Sequence, residues 1–157
     1  MTDQTLPERR HLRRLERIYT GTPVYLITIC VAGRRPAFQD HALARCAIEA
    51  VTKTRLDLSW LVVRYVLMPD HLHMFCSPVA PDCELSEFVG RLKSVSTRAA
   101  WACGWHGVLW QKEFHDHLLR GLGSYEQKWQ YVLQNPLRAG LCEHAANWPW
   151  SGVLDDF

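Results

Sequence analysis

Two histidines, His71 and His73, stand one residue apart in the apolar run Tyr65-Val66-Leu67-Met68-Pro69-Asp70-His71-Leu72-His73-Met74-Phe75-Cys76. In a β-strand, side chains two apart point to the same side. A strand here turns both imidazoles to one face and Leu72 and Met74 to the other. Two neutral imidazoles on one face supply half of a metal site. The bland alternative is a strand whose histidines bond only to solvent or backbone. Pro69 and Asp70 interrupt the run just before the pair. They predict a tight turn joining two antiparallel strands, with the histidines opening the second.

A second reactive group lies in Tyr131-Val132-Leu133-Gln134-Asn135-Pro136-Leu137-Arg138-Ala139-Gly140-Leu141. Ser124 followed by Gln127 is a capping-box pattern and predicts the start of a helix. Pro136 predicts its end near Asn135. On that helix Tyr125, Trp129, Val132 and Leu133 form an apolar stripe. Tyr131 falls about 200° from Trp129 and Leu133 at about 100° per residue. Lys128 and Asn135 share its side. Packing explains such a tyrosine poorly, although tyrosines also sit at helix borders with the hydroxyl in water.

The elements that must position these groups follow in order. Val24 to Val31 is rich in β-branched residues and predicts the first strand. Leu43, Ala47, Ala50, Val51 and Thr54 recur at helical spacing from Asp40 or His41 to about Leu56. Ser59 to Leu67 and His71 to Ser77 predict the second and third strands. A helix beginning near Glu84 or Ser86 runs to about Cys103, with Phe88, Leu92, Val95, Ala99 and Ala102 on one side. A fourth strand is predicted around Glu113 to Leu118, before the tyrosine helix. The order β-α-β-β-α-β-α implies an α+β fold, an antiparallel four-stranded sheet with helices packed mainly on one face. Residues 1–22 predict a basic arm and 23–157 a single domain.

The 157 residues suffice for one core. No apolar run approaches the roughly 18 residues of a membrane span, and the first residues are charged rather than signal-like, so the expected location is cytoplasmic. The six cysteines are scattered without a Cys-x-x-Cys and are expected as small buried hydrophobes in a reducing compartment. A net charge of +2 does not by itself demand nucleic acid. Its distribution says more. Arg9, Arg10, Arg13, Arg14 and Arg17 crowd one segment, either a solvated face or an arm whose forks meet phosphate. Arg34 with Arg35, and Arg91 with Lys93 and Arg98, form smaller groups. Most of the seven tryptophans are expected in the core, with one or two able to stack on unpaired bases.

The ordered set Val66 to His73, Leu109-Trp110-Gln111-Lys112 with Phe114-His115-Asp116-His117, Tyr131 to Leu141, and Trp148-Pro149-Trp150-Ser151 resembles the single-tyrosine HUH transposases. In particular it resembles their REP-associated tyrosine transposase branch, from about Tyr25 onward. The resemblance implies a ferredoxin-like or RRM-like core and a metal-dependent single-strand DNA endonuclease and strand transferase. It implies Tyr131 as the nucleophile, forming a 5′-phosphotyrosine. It also implies that Asn135 joins His71 and His73 around Mg2+ or Mn2+, and that the DNA is a single strand with a REP-like hairpin. Arg9, Arg10, Arg13, Arg14, Arg34, Arg35, Arg91, Lys93, Arg98, Lys128 and Arg138 are then the expected DNA contacts. A tyrosine hydroxyl ordinarily titrates near 10 and needs activation; the sequence names no base, and Lys128, one turn before, and His117 are candidate helpers that read first as DNA contacts or structural residues. His115, Asp116 and His117 suggest a supporting shell, with Asp116 orienting a ligand imidazole. Such relatives occur as monomers or as homodimers.

Other classes leave weaker marks. A zinc hydrolase calls for a third strong ligand, and His-Glu-x-x-His is absent. No cysteine sits in a recognisable nucleophile context. A catalytically silent hairpin DNA- or RNA-binding module with an RRM-like sheet would keep the fold. It would be expected to lose Tyr131 or a histidine, and all three are present.

Overall fold

The computed structural model describes residues 23–156. Five antiparallel strands form one sheet in the order β4-β1-β3-β2-β5. They are β1 (Val24–Cys30), β2 (Trp60–Met68), β3 (His71–Pro78), β4 (His115–Leu119) and β5 (Ser151–Val153). The helices are α1 (His41–Asp57), α2 (Leu85–Ala102), α3 (Leu122–Leu133) and the one-turn α4 (Asn135–Arg138).

The sheet divides the core. Ile27, Ile29, Tyr65, Leu67, Leu72 and Met74 turn toward α1 and α2, in a cluster of twenty-three buried residues. Trp60 stacks on Phe88 of α2 with ring centroids 4.9 Å apart. Asp40 caps α1, its carboxylate accepting from the backbone N–H of Ala42 and Leu43. The other face carries Val24, Val66, Met68, Phe75 and Leu119, covered by Tyr125, Trp129 and Val132 of α3, a cluster of eight. The helices therefore split between the faces, α1 and α2 on one and α3 on the other.

A bulge sets the parity of β2. Val62 pairs with Cys76 but Arg64 pairs with Phe75, so Val63 is the extra residue. Trp60 and Val62 thus share a face with Tyr65 and Leu67, while Arg64 turns to the α3 side. There its guanidinium lies 4.7 Å from the centre of the Trp129 ring. The groups freed by the bulge are met by the chain after β5. Leu154 N–H donates to the Val63 carbonyl, and Val62 N–H donates to the Asp155 carboxylate, which also holds Arg55 at 2.7 Å.

Three expectations change. The sheet has five strands rather than four, because the chain around Trp148 to Val153 pairs along β2. Trp148 Nε1 donates to the Leu67 carbonyl, Leu67 N–H to the Trp150 carbonyl, and Ser151–Val153 pair with Arg64–Val66. The tyrosine helix begins at Leu122, two residues before Ser124, with Gly121 as its cap. Of the six cysteines only Cys30 and Cys76 are buried, and Cys103 is exposed. Among the described residues no helix is long and apolar enough to cross a membrane.

Candidate active site

The Pro69-Asp70 turn joins β2 to β3 with Met68 opposite His71. The chain after β1 grips it: Val31 N–H donates to the Asp70 carbonyl and Phe38 N–H to that of Pro69. Register then places the histidines. His71 lies between Cys30 and Met68, and His73 between Thr28 and Val66, all on the α3 face. The two Nε2 atoms stand 3.1 Å apart with the rings at 86°.

Each imidazole has its other nitrogen fixed. His71 Nδ1 lies 2.7 Å from Asp70 Oδ1, and His73 Nδ1 lies 2.9 Å from Thr28 Oγ1. Asp70 also accepts from Arg34 Nε at 2.9 Å, and Arg34 donates to Cys30 Sγ. Arg34 makes these bonds from the left-handed region, at φ 54°, directly after Gly33 at φ 65°. Burial, helped by the charges of His71, Arg34 and Arg138, holds His73 down at about 3. It is therefore neutral at physiological pH, the form that binds metals. Burial alone would raise the Asp70 carboxyl, but His71 and Arg34 outweigh it and hold the group below its ordinary value.

Two nitrogens bound to one ion at about 2.1 Å and roughly at right angles stand about 3.0 Å apart, so the separation suits a shared cation. Among the described residues no three His, Cys, Asp or Glu side chains converge as a metal site. A further protein ligand would have to be another donor, such as an amide.

The tyrosine helix packs on this same face. Tyr125 and Trp129 meet Phe75 edge-on at 5.3 and 5.6 Å, two residues from His73. Those anchors leave Tyr131 turned outward, 63% exposed. α3 ends at Leu133, and Asn135 opens α4 with Pro136 inside its first turn. Arg138 closes back over both residues. Its guanidinium sits 4.0 Å from the centre of the Tyr131 ring and donates to the Tyr131 carbonyl and to Asn135 Oδ1. Arg138 also weighs on the protonation of His73, which ties the end of the tyrosine helix to the histidine pair.

The other expected residues scatter. His115 lies opposite Thr28 on edge strand β4, in line with His73, and His117 lies opposite Leu26 on the same face. Asp116 pairs with Ile27 and points to the α1–α2 side, so it cannot orient either histidine. The carboxylate at His71 is Asp70, a turn residue whose place beside the pair was its only signal in the sequence. Thr28 carried no signal at all, because only the register brings it to His73. Lys93 gives Nζ to the carbonyls of Gln111, Lys112 and Glu113 at 2.8 to 3.1 Å, and burial lowers its pKa. It straps α2 to the loop before β4. Arg35 is engaged by the Val108 carbonyl and the Trp105 ring. Lys128, Arg91 and Arg98 are exposed. Arg9, Arg10, Arg13 and Arg14 lie outside the described residues.

Comparison with known proteins follows the same outline. Residues 22–133 match the family model for IS200-like transposases. The chain is 26% identical over 103 residues to the REP-associated tyrosine transposase of Escherichia coli K12, covering 66% of this chain and 60% of that protein. It is 23% identical over 150 residues to a Haemophilus influenzae protein assigned to the same group, covering 89% of this chain and 85% of the relative. Among solved structures it is similar to a REP-associated tyrosine transposase bound to a REP hairpin, with TM-score 0.73 and 23% identity over 83% of this chain and 76% of that one. It is also similar to a Deinococcus radiodurans protein assigned as a transposase, with TM-score 0.56 and 20% identity over 69% of this chain and 87% of the other.

Proposed function

The chain belongs to the IS200-like transposase family, and we propose that it cuts and rejoins single-stranded DNA beside a hairpin through a covalent 5′-phosphotyrosine at Tyr131. One observation carries the reading. The Nε2 atoms of His71 and His73 converge on the sheet face that α3 covers, and α3 presents an exposed tyrosine next to Asn135 and Arg138.

In this reading His71 and His73 would hold a divalent cation, Mg2+ or Mn2+, and Asn135 would add its side-chain oxygen. An amide oxygen has two lone pairs, so Arg138 can hold one while the other serves the ion. When bound, the cation supplies Lewis-acid stabilisation of the phosphate's non-bridging oxygens. The Tyr131 oxygen attacks phosphorus as its proton leaves. The bond from phosphorus to the 3′-oxygen breaks, and that oxygen takes a proton and departs as a 3′-hydroxyl. The phosphate remains on Tyr131, still joined to the 5′-oxygen of the nucleotide on the 3′ side of the cut. Attack by another 3′-hydroxyl reverses the step and restores the phenol, so joining consumes no external energy source.

The hairpin in the similar solved structure supports hairpin DNA as the substrate. Arg9, Arg10, Arg13 and Arg14 would neutralise further phosphates. Replacing the four should weaken binding and flatten its salt dependence. On single strands the slope should fall by up to about 0.7 for each phosphate left without its arginine.

The deciding experiment is incubation with labelled single-stranded hairpin DNA and manganese. Wild type should yield a covalent protein–DNA band, and Tyr131→Phe should yield none while still binding the hairpin. An undiminished band from Tyr131→Phe removes the nucleophile assignment. Full cleavage by His71→Ala in the presence of chelator removes the metal site.

A further inference from the structure

Outside the histidine face the described residues form a second feature, an open and mostly apolar cavity with an indole and two exposed cations on its wall. Where the loop before β4 crosses α2, a cavity of about 380 Å³ is lined by Arg98, Trp101 and Lys112, with Ser94, Thr97 and Gln111 among its polar groups and no aspartate or glutamate. Trp101 donates Nε1 to the Gly107 carbonyl at 2.8 Å, which pins the indole, yet the residue remains 52% exposed. An indole fixed at its polar edge and open elsewhere is poorly explained by core packing. Arg98 is braced by Ser94 Oγ at 2.9 Å, and the rest of its fork has no protein partner among the described residues. Lys112 is exposed. The wall is rigid because Lys93 ties down the carbonyls of residues 111–113.

The cavity lies on the α1–α2 side of the sheet, opposite the histidine face, beside the loop that leads into edge strand β4. Three residues beyond Lys112, His115 lies opposite Thr28, which lies opposite His73. β4 is an edge strand two strand spacings from β3, roughly 10 Å. A chain leaving the histidine face reaches Lys112 at the rim by passing round the edge of β4.

We propose that this cavity binds one unpaired nucleotide of the single strand flanking the cut. The base lies against Trp101 and the phosphates meet Arg98 and Lys112. The assignment rests on the single-strand DNA reading above. The volume is at the low end of small-ligand pockets, about 300–1,000 Å³, and suits one base with its sugar rather than a duplex. Stacking on an indole tolerates every base, so the subsite measures the presence of a tail more than its sequence.

The test is equilibrium binding of the full chain to labelled DNA hairpins with and without single-stranded thymidine tails, on the 5′ or the 3′ side. Wild type should bind one tailed form more tightly than the tailless hairpin. Trp101→Ala should lose about 5- to 100-fold of that affinity, with the loss confined to the tailed form. Arg98→Gln and Lys112→Gln should each lower the salt slope on the tailed form by about 0.7. Equal tailed and tailless affinities in wild type, or a Trp101→Ala variant that keeps the full tail preference, overturn the cavity assignment and leave the Tyr131 adduct intact. A wild-type chain that forms no adduct and binds no hairpin overturns both readings.

Discussion

Thr28 and Asp70 commit one nitrogen of each imidazole to the protein, and the choice of partner has consequences. A carboxylate beside His71 Nδ1 keeps the proton there and leaves Nε2 with a lone pair. A hydroxyl beside His73 can donate or accept. Without an ion, Thr28 donating to His73 Nδ1 lets His73 Nε2–H donate to His71 across the 3.1 Å gap. With an ion, Thr28 accepts instead and both lone pairs are free. Thr28→Val and Asp70→Asn should therefore each weaken manganese binding by about 10–100-fold, read by calorimetry on the chain without DNA. Unchanged affinity in both would detach these residues from the histidines' role. That His71 and His73 share a face and that Tyr131 turns outward was legible because strand period and helix period are properties of neighbours in sequence. Thr28 was not, since its role depends on a partner forty-five residues away. Lys93 and Arg35 show the converse. A basic side chain in a sequence looks like a free charge, and only the fold reveals three carbonyls around one and an indole beside the other.

At the scale of elements, long segments with a clear period declared themselves: β1, β2, β3, α1 and α2 fall within a residue or two of expectation. β5 did not. Three residues, Ser-Gly-Val, carry no period and become a strand only because β2 offers an edge. Its fit is close. A Cβ at Gly152 would stand 2.8 Å from the Tyr65 hydroxyl, and Tyr65 is itself buried. Gly152→Ala should destabilise the protein by about 1–3 kcal/mol, typical of overpacking. At this size each kcal/mol lowers Tm by about 2–4 °C. Adding Tyr65→Phe should recover part of the loss by removing the nearest atom. A melting temperature unmoved by Gly152→Ala would mean that β5 is loosely held. The start of α3 was misplaced for a different reason: Ser124 has the spelling of a cap but lies inside the helix, which Gly121 opens without a side-chain capping bond.

The whole molecule inherits an acid sensitivity from its site. His73 is held at about 3 by burial and by the charges of His71, Arg34 and Arg138, against an ordinary value of about 6.5. Between those values the unfolded chain binds a proton that the folded chain refuses. Stability of the metal-free protein should therefore fall as pH drops below about 6.5. Asp70 adds a second component. Its depressed carboxyl stabilises the fold above the ordinary value of about 3.9, and that contribution is lost as pH falls through the lower folded value. Melting curves in chelator should show His73→Gln flattened between about pH 6.5 and 4, and Asp70→Asn flattened below that. Curves parallel to wild type would place the sensitivity elsewhere.

The unequal apolar clusters on the two faces of the sheet bear on motion. Among the described residues, twenty-three buried ones join α1 and α2 to one face, and eight join α3 to the other. Less buried apolar area means a lower free energy of local opening, so α3 should detach as a unit while β1, β2 and β3 stay paired. Backbone amides of Tyr125 to Leu133 should exchange with deuterium well before those of Ile27, Leu67 and Leu72. Trp129→Ala should speed α3 alone. The protein would then own a molecular drawbridge: Tyr131 swings out with its helix, while the two imidazoles wait, still aligned, on a strand that has not moved.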